Sequence, residues 1–248
     1  MTGAVVLDIE GTVSPLAAVR DMLFPYARAR IEGWVREDRA PAVVAEVRAM
    51  LGGNPGLDEV VRALLAWHDE DAKHSPLKTL HGLIWEQGFR DGVLVGQVYP
   101  DVPPVLAGWR QRGTRCWIYS SGSELAQRLW FSRSDQGDLL GHLAGHFDTT
   151  TGGPKHEPRS YHRITASIGT APGDILFLTD SRAELDAART AGWRAAGVRR
   201  PGCTTDFGRH PVVADFTELA DLAELADLAG LPVVMEVADR QDREGASR

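Results

Sequence analysis

The stretch that most constrains this chain is an apolar run, Ala4-Val5-Val6-Leu7, followed at once by Asp8-Ile9-Glu10-Gly11-Thr12. A short run without polar alternation is typical of a strand buried on both faces of a parallel sheet. Asp8 and Glu10 then share one side of the strand, and Gly11 allows a sharp turn that leaves both acids uncovered. The segment therefore predicts an acidic pair at the sheet edge where open α/β folds bind ligands.

Such an acidic pair has a definite chemistry. An Asp can attack phosphorus and form an aspartyl-phosphate, and a second acid can deliver a proton to the leaving oxygen. The alternative interpretation is an ordinary acidic turn, because Asp and Gly are common turn residues.

The rest of the chain predicts the fold class α/β, with a doubly wound parallel sheet. Strand-like runs at 114–121, 174–179 and 193–198 alternate with helical patterns, as in such sheets. Residues 16–97 have helical spacing throughout, and we interpret them as a helical cap inserted after the first strand. The core domain is then 1–15 together with 98–235, and 236–248 is a charged tail that we expect to be disordered.

Composition excludes several kinds of protein. The net charge of −7 argues against nucleic acid as a partner, because a phosphate backbone requires a basic surface. Two cysteines, one within an apolar run, do not support a disulfide framework or a thiolate metal site. With no basic leader and no apolar run near the ~20 residues that span a bilayer, we expect a cytoplasmic protein that does not bind membranes. We also expect it to be monomeric.

Two further segments bring candidate ligands to the same edge. Ser120 and Ser121 stand between a strand and a helix, where backbone amides and hydroxyls bind phosphate oxygens well. The alternative there is a plain helix cap, which accounts fully for Ser123. Asp180 follows the run at 175–179 and is a candidate Mg²⁺ ligand, or alternatively a cap for the next helix.

Lys155 lies in a glycine-rich loop, Thr151-Gly152-Gly153-Pro154-Lys155. A single ammonium there can neutralise a phosphoryl group and the attacking Asp together. The alternative is a solvated loop lysine, which is the common fate of lysine.

Ser120 and Ser121 form what we call the serine loop. Taken in order, the acidic pair, the serine loop, Lys155 and Asp180 resemble the haloacid dehalogenase superfamily of phosphotransferases. Over about residues 4–220 the chain is similar to the acireductone synthase family, the enolase-phosphatases of methionine salvage. Glu10 favours this family in particular, because most members of the superfamily carry Asp at that position. The segments that carry this resemblance are Leu7-Asp8-Ile9-Glu10-Gly11-Thr12, Leu23-Phe24-Pro25-Tyr26-Ala27, Ile118-Tyr119-Ser120-Ser121-Gly122-Ser123, Gly145-His146-Phe147-Asp148-Thr149 and Ile175-Leu176-Phe177-Leu178-Thr179-Asp180.

The resemblance implies a Mg²⁺-dependent enzyme that enolises 2,3-diketo-5-methylthiopentyl-1-phosphate and then removes its phosphate. The product is the acireductone 1,2-dihydroxy-3-keto-5-methylthiopentene. By position, Asp8, Glu10 and Asp180 match the family's metal residues, and Ser120, Ser121 and Lys155 match its substrate contacts. Asp8, Glu10 and Lys155 are the expected catalytic residues.

The chain departs from the family pattern at Gly152-Gly153-Pro154-Lys155 and at Ser181, where a Val-like residue is expected. These departures leave the position of Lys155 and the role of Glu184 open. Alternative functions are a phosphatase of the same superfamily acting on another small phosphate ester, a dehalogenase, and a silent module that binds a phosphorylated ligand.

Some remaining residues receive simpler interpretations. Histidine spacing does not favour a zinc site. Lys78, His81 and Trp85, on the last predicted helix of the insertion, are candidates for contact with substrate. Arg199-Arg200, after the last strand, is interpreted as a solvated turn.

Overall fold

The computed structural model describes residues 3–219. The predicted tail at 236–248, and the end of the predicted core domain, lie outside the described residues. No helix within 3–219 is both long enough and apolar enough to cross a bilayer.

A parallel sheet forms the centre of the fold and confirms the predicted α/β, doubly wound class. Its strand order is β3-β2-β1-β4-β5-β6. All the pairings are parallel, and β1 at the centre pairs with both β2 and β4. The six strands of the described part are β1 (Ala4–Leu7), β2 (Arg115–Tyr119), β3 (Leu143–Phe147), β4 (Ile175–Thr179), β5 (Arg194–Val198) and β6 (Val212–Val213).

Two of these strands, β3 and β6, are absent from the prediction. In β3 the apolar pattern is broken by Gly145 and His146. Gly145 is required there, because a Cβ atom would overlap the Trp117 ring on the neighbouring strand. The second missed strand, β6, is too short to show any periodicity.

The helices follow in chain order. The insertion contains α1 (Leu16–Ala18), a π-helical turn (Val19–Leu23), α2 (Phe24–Arg36), α3 (Pro41–Leu51), α4 (Leu57–Asp69) and α5 (Ser75–Arg90). The sheet carries α6 (Val102–Gln111), α7 (Glu124–Ser132), α8 (Pro158–Ile168) and α9 (Arg182–Thr190).

Each face of the sheet is covered by its own apolar layer. Val5 and Leu7 point to one face, where Trp109 of α6 and Phe131 of α7 pack. On the opposite face, Val6 lies in a second cluster, whose members include Tyr161 of α8 and Leu185 of α9. Burial on both faces explains why β1 is apolar at every position.

Helices α2 to α5 of the insertion enclose a third apolar cluster. Ile31, Val47, Leu64 and Leu80 lie at its centre, one from each helix, and all are fully buried. A separate core supports a cap that packs as a unit, while the boundaries at 16 and 97 stay a prediction.

Arg200 contradicts the interpretation of Arg199-Arg200 as a solvated turn. Its side chain is 5% exposed and pairs with Asp101 at 2.8 Å. Arg200 Nε also donates to the carbonyl oxygen of Thr12 at 2.8 Å, in the loop that follows the acidic pair. The prediction is wrong because the sequence alone did not indicate that Asp101, about a hundred positions earlier, lies beside it.

Arg200→Met should lower the free energy of unfolding by about 3 kcal/mol, because it leaves Asp101 without its cation in a largely buried position. Arg199→Met is the matched control, since Arg199 is exposed, and it should change stability by less than about 0.5 kcal/mol. Urea denaturation measures both. Equal losses in the two variants would contradict the structural role of Arg200.

His146 should make stability depend on pH. Burial, together with nearby Arg128, lowers the pKa of His146 to about 4 from 6.5. Between these values the unfolded chain binds a proton that the folded chain does not, so stability should fall as pH decreases from 6.5 to 4. The loss amounts to about 3 kcal/mol at most.

His146→Phe should remove this part of the acid destabilisation. The difference between unfolding free energies at pH 7 and pH 4.5, measured in urea, should therefore be smaller in this variant than in the unmodified protein. His162→Phe, at an exposed position of α8, is the control and should keep the original difference. The same pH dependence in all three proteins would show that His146 does not titrate as described.

Candidate active site

The acids lie where the direction of the chain across the sheet reverses. From β1 the chain moves outward to β2 and β3, and then crosses to β4 on the other side of β1. Asp8 follows β1 and Asp180 follows β4, so both stand at the switch point of the sheet. This is the position where open α/β sheets bind ligands.

Asp8 is held rigidly, although it lies just beyond the end of β1. Its backbone N–H donates to the carbonyl oxygen of Leu178 at 3.0 Å, which continues the ladder to β4. Its Oδ1 accepts the N–H of Ile9 at 2.8 Å, and the residue is 6% exposed. Rigid placement of a carboxylate is what an attacking group requires.

Lys155 reaches this carboxylate from a different loop. Its Nζ lies 2.5 Å from Asp8 Oδ1 and 2.7 Å from Glu184 Oε2, with the lysine side chain 10% exposed. Burial alone would lower the pKa of Lys155, but the Asp8 and Glu184 carboxylates outweigh it and raise the pKa above its ordinary value. The ammonium is therefore a permanent positive charge at this edge.

Thr179 connects the two carboxylates that flank Lys155. Its hydroxyl lies 3.0 Å from Asp8 Oδ2 and 2.9 Å from Glu184 Oε2. A hydroxyl has a single proton, so it can donate to only one carboxylate while accepting from a protonated other. Burial, followed by the charge of Asp8, raises the pKa of Glu184 to about 7.

The loop that carries Lys155 is fastened by three side-chain hydroxyls. Tyr119 donates to the carbonyl of Gly153 at 2.8 Å, Tyr161 to that of Lys155 at 2.7 Å, and Ser160 to that of Pro154 at 2.8 Å. Gly152 packs so closely against Tyr119 that a Cβ atom would overlap the ring. The unusual Gly-Gly-Pro sequence thus allows a closely packed loop that aims Lys155 at Asp8.

Gly11 gives Asp180 the space for its carboxylate. Gly11 has a φ of 69°, a conformation that favours glycine, and a Cβ atom there would overlap the Asp180 carboxylate. Burial and the charge of Asp8 raise the pKa of Asp180 to about 6. The same two causes, in the same order, raise the pKa of Glu10. The carboxyl groups of Asp8, Glu10 and Asp180 thus lie close together, and their combined negative charge exceeds the single positive charge of Lys155.

The serine loop completes the polar rim. The backbone N–H of Ser120 bonds the carbonyl of Phe147 at 3.1 Å, and its hydroxyl accepts the N–H of Gly122 at 3.2 Å. Gln127 holds the same loop through the carbonyl of Gly122 at 2.7 Å. Ser121 remains exposed at the edge of the site.

Two adjoining cavities open at this edge. The smaller has a volume of about 380 Å³ and a polar wall, and the larger, of about 470 Å³, runs beneath the insertion helices. Glu10, Ser120, Ser121 and Thr149 line both. The smaller cavity alone contains Asp8, Lys155, Asp180 and Glu184. The larger is lined by Val19, Leu23, Phe24, Leu77, Trp85 and Trp130, together with the charged or polar Lys73, Lys78, His68 and His81.

The structure thus brings all six predicted site residues to one sheet edge, and it places Lys78, His81 and Trp85 on the wall of the larger cavity. Sequence reasoning missed Thr179 and His68. Thr179 directly precedes Asp180, and that position was the available signal. His68 lies on α4, opposite His81 of α5, and no pattern within one helix indicates such a pair.

Comparison with known proteins defines the class of the chain. Residues 2–192 match the family model described as haloacid dehalogenase-like hydrolase. The chain belongs to this family of hydrolases.

Individual proteins and one solved structure are also similar to the chain. The chain is 47% identical to Enolase-phosphatase E1 of Frankia alni over 220 residues, covering 86% of this chain and 93% of that protein. It is 50% identical to Enolase-phosphatase E1 of Streptomyces avermitilis over 205 residues, covering 80% and 85%. Among solved structures, the UTR4 protein of Saccharomyces cerevisiae superposes with a TM-score of 0.76 at 31% identity, covering 87% of this chain and 99% of that one.

Replacing Gly11 should test the close approach of Asp180. Gly11→Ala adds both backbone strain and a clash, whereas Gly169→Ala, at a φ of 68° with open space around it, adds the strain alone. We expect a loss of about 1 kcal/mol for Gly169→Ala, and about 1–3 kcal/mol more for Gly11→Ala. Urea denaturation measures both, and equal losses would mean that Asp180 moves away without cost.

Proposed function

We propose that the chain is an enolase-phosphatase that converts 2,3-diketo-5-methylthiopentyl-1-phosphate to 1,2-dihydroxy-3-keto-5-methylthiopentene and phosphate. The observation that carries the proposal is the buried pair of Asp8 and Lys155, 2.5 Å apart, at the wall of a polar cavity that adjoins a larger, mainly apolar one. The polar cavity suits a phosphate group, and the larger suits a methylthio chain. Identities of 47% and 50% with enolase-phosphatases support the same reaction.

In the phosphatase step, an Asp8 oxygen attacks phosphorus and the bond from phosphorus to the substrate oxygen breaks. Glu10, whose pKa is raised, donates a proton to that leaving oxygen. Water then attacks phosphorus, which frees phosphate and restores Asp8. Lys155 balances the negative charge of both the nucleophile and the phosphoryl oxygens throughout.

The site also fits a Mg²⁺ ion. Within residues 3–219 no three His, Cys, Asp or Glu side chains form a ready ligand cluster, but Mg²⁺ needs only one or two carboxylates besides water and phosphate. Asp8, Asp180 and the backbone carbonyl oxygen of Glu10 would hold the ion, which leaves the Glu10 carboxylate for proton transfer. Crowded carboxylates with raised pKa values at Glu10 and Asp180 suit a cation. When bound, it supplies positive charge to phosphoryl and carbonyl oxygens.

Enolisation is an isomerisation and needs no oxidant or reductant. The bond between hydrogen and the carbon beside a carbonyl breaks, its electron pair forms the carbon–carbon double bond, and the carbonyl oxygen gains a proton. Glu10 lines both cavities and is therefore placed to accept the proton from carbon. That proton is then available for the leaving oxygen in the phosphatase step.

The predicted cytoplasmic location and monomeric state remain part of this proposal, as does the absence of nucleic acid and membrane partners. The substrate is a small phosphorylated diketone. A phosphatase acting on another small ester would share the polar cavity and differ in the larger one.

Asp8→Asn should reduce phosphate release by about a thousandfold or more while the protein stays folded, because the amide cannot serve as the nucleophile. Asp174→Asn, at the opposite end of β4, is the matched control and should retain full activity. Phosphate release from p-nitrophenyl phosphate and from the diketone phosphate measures both. Normal turnover by Asp8→Asn would contradict the nucleophile assignment.

The substrate assignment is tested with the diketone phosphate itself. We expect ultraviolet absorbance of the enediol to develop together with phosphate release. Chelation by EDTA should stop both, and added Mg²⁺ should restore them, whereas a dehalogenase needs no metal. Phosphate release without enediol absorbance would favour another small ester as substrate, and turnover in EDTA would contradict the role of Mg²⁺.

A further inference from the structure

A pair of histidines lies in the wall of the larger cavity, on the side of the insertion. His68 of α4 and His81 of α5 are 8% and 5% exposed, and His68 Nδ1 lies 2.9 Å from His81 Nε2. Their other nitrogens, His68 Nε2 and His81 Nδ1, have no protein hydrogen-bond partner within residues 3–219. Unlike the buried, unpartnered Nδ1 of His146, neither is sealed from solvent-accessible space. Both residues line the cavity, and we therefore assign these nitrogens to it.

The hydrogen bond between the rings fixes what the pair can offer. In two neutral imidazoles one ring nitrogen donates and the other accepts. If His68 donates, His81 carries its own proton on Nδ1, and if His81 donates, His68 carries its proton on Nε2. In either case the pair presents one free N–H and one free acceptor nitrogen.

Aromatic neighbours hold the rings in place. Phe24 lies 5.8 Å from the His68 ring centroid and 5.9 Å from that of His81. Trp85 lies 5.2 Å from the His81 centroid and is itself tied to the carbonyl of Leu23 through its indole N–H at 2.7 Å. Groups fixed by packing are suited to act on a reacting substrate without first reorganising.

The rings are neutral under ordinary conditions. Burial, followed by the neighbouring His68, lowers the pKa of His81 to about 4, and burial also lowers the pKa of His68. The charged groups that act on the pair are Arg28, Asp69, Asp71 and Lys73. A neutral imidazole that resists protonation is a poor base, but its N–H is a good hydrogen-bond donor to a carbonyl oxygen.

We propose that His81 donates a hydrogen bond from Nδ1 to a carbonyl oxygen of the α-diketone, stabilises the negative charge that this oxygen gains during enolisation, and is held in the donating tautomer by His68. The inference rests on the proposed function, in which the carbon loses its proton to Glu10. The oxygen takes its proton from water afterwards, so His81 keeps its own. His81 is then a catalytic residue of enolisation alone, and His68 is a positioning residue.

Two substitutions at one position separate donation from packing. His81→Leu fills the space without a donor, whereas His81→Asn provides an amide N–H at the position of Nδ1. We expect His81→Leu to slow appearance of the enediol by about 100-fold, with little change in KM, and His81→Asn to stay within about 10-fold of the unmodified enzyme. The ratio of enediol appearance to hydrolysis of p-nitrophenyl phosphate should fall in His81→Leu, because that ester needs no enolisation.

The outcomes distinguish this inference from the proposed function. If the unmodified enzyme forms no enediol from the diketone phosphate, the proposed function fails. If it does, and His81→Leu forms the enediol at the same rate, the role of His81 is overturned. Equal loss of enolisation in the Leu and Asn variants would also overturn it, because that result points to packing rather than to donation.

The positioning role of His68 has its own test. Nitrogen-15 NMR of the imidazoles reports which ring nitrogen carries the proton. In the unmodified enzyme His81 should be protonated at Nδ1, and His68→Leu should shift part of the population to the Nε2 tautomer with a parallel loss of enolisation. A His81 tautomer that does not change in His68→Leu would overturn the positioning role.

Discussion

The candidate active site depends on one buried ammonium that is shared by two carboxylates. Lys155 lies within 2.7 Å of both Asp8 and Glu184, at a position almost closed to water. Removing the lysine from such a group leaves uncompensated buried charge, which commonly costs about 3–5 kcal/mol. The hydrogen bonds from Tyr119, Tyr161 and Ser160 to the lysine loop therefore serve the chemistry as well as the fold.

The sequence predicted the parts of the molecule that local pattern determines. A fully buried strand such as β1 needs apolar residues throughout, and Asp8 and Glu10 directly after it mark the sheet edge. Recognition of the lysine loop came from family resemblance, because neither its spacing nor its composition distinguishes Lys155 from a solvated lysine. β3 could not be predicted, since Gly145 and His146 reflect contacts with neighbouring elements rather than strand propensity.

Contacts between residues far apart in the sequence were the other feature that could not be predicted. Arg200 is buried because Asp101 lies beside it, and His68 meets His81 because α4 and α5 pack together. Both pairs join residues on separate elements, and no periodicity within one segment encodes them. In both pairs, buried polar groups are compensated by a partner from elsewhere in the chain.

The two cavities suggest how one site serves two reactions. They share Glu10 and the serine loop, while the apolar wall and the histidine pair belong only to the larger. A phosphate held near Asp8 thus leaves the rest of a ligand beneath the insertion helices. In the proposed function, the molecule need not move between enolisation and hydrolysis, because the groups for each step surround different parts of it.

The sharing of one ammonium by two acids also bears on how such a site can diverge. Asp8, Lys155 and Glu184 come from three separate segments of the chain, so no local insertion or deletion replaces them together. A lineage that lost the lysine first would carry two unneutralised acids through an unstable intermediate sequence. Changes of substrate are therefore easier to reach through the walls beneath α2 to α5, where single replacements leave this charge balance intact.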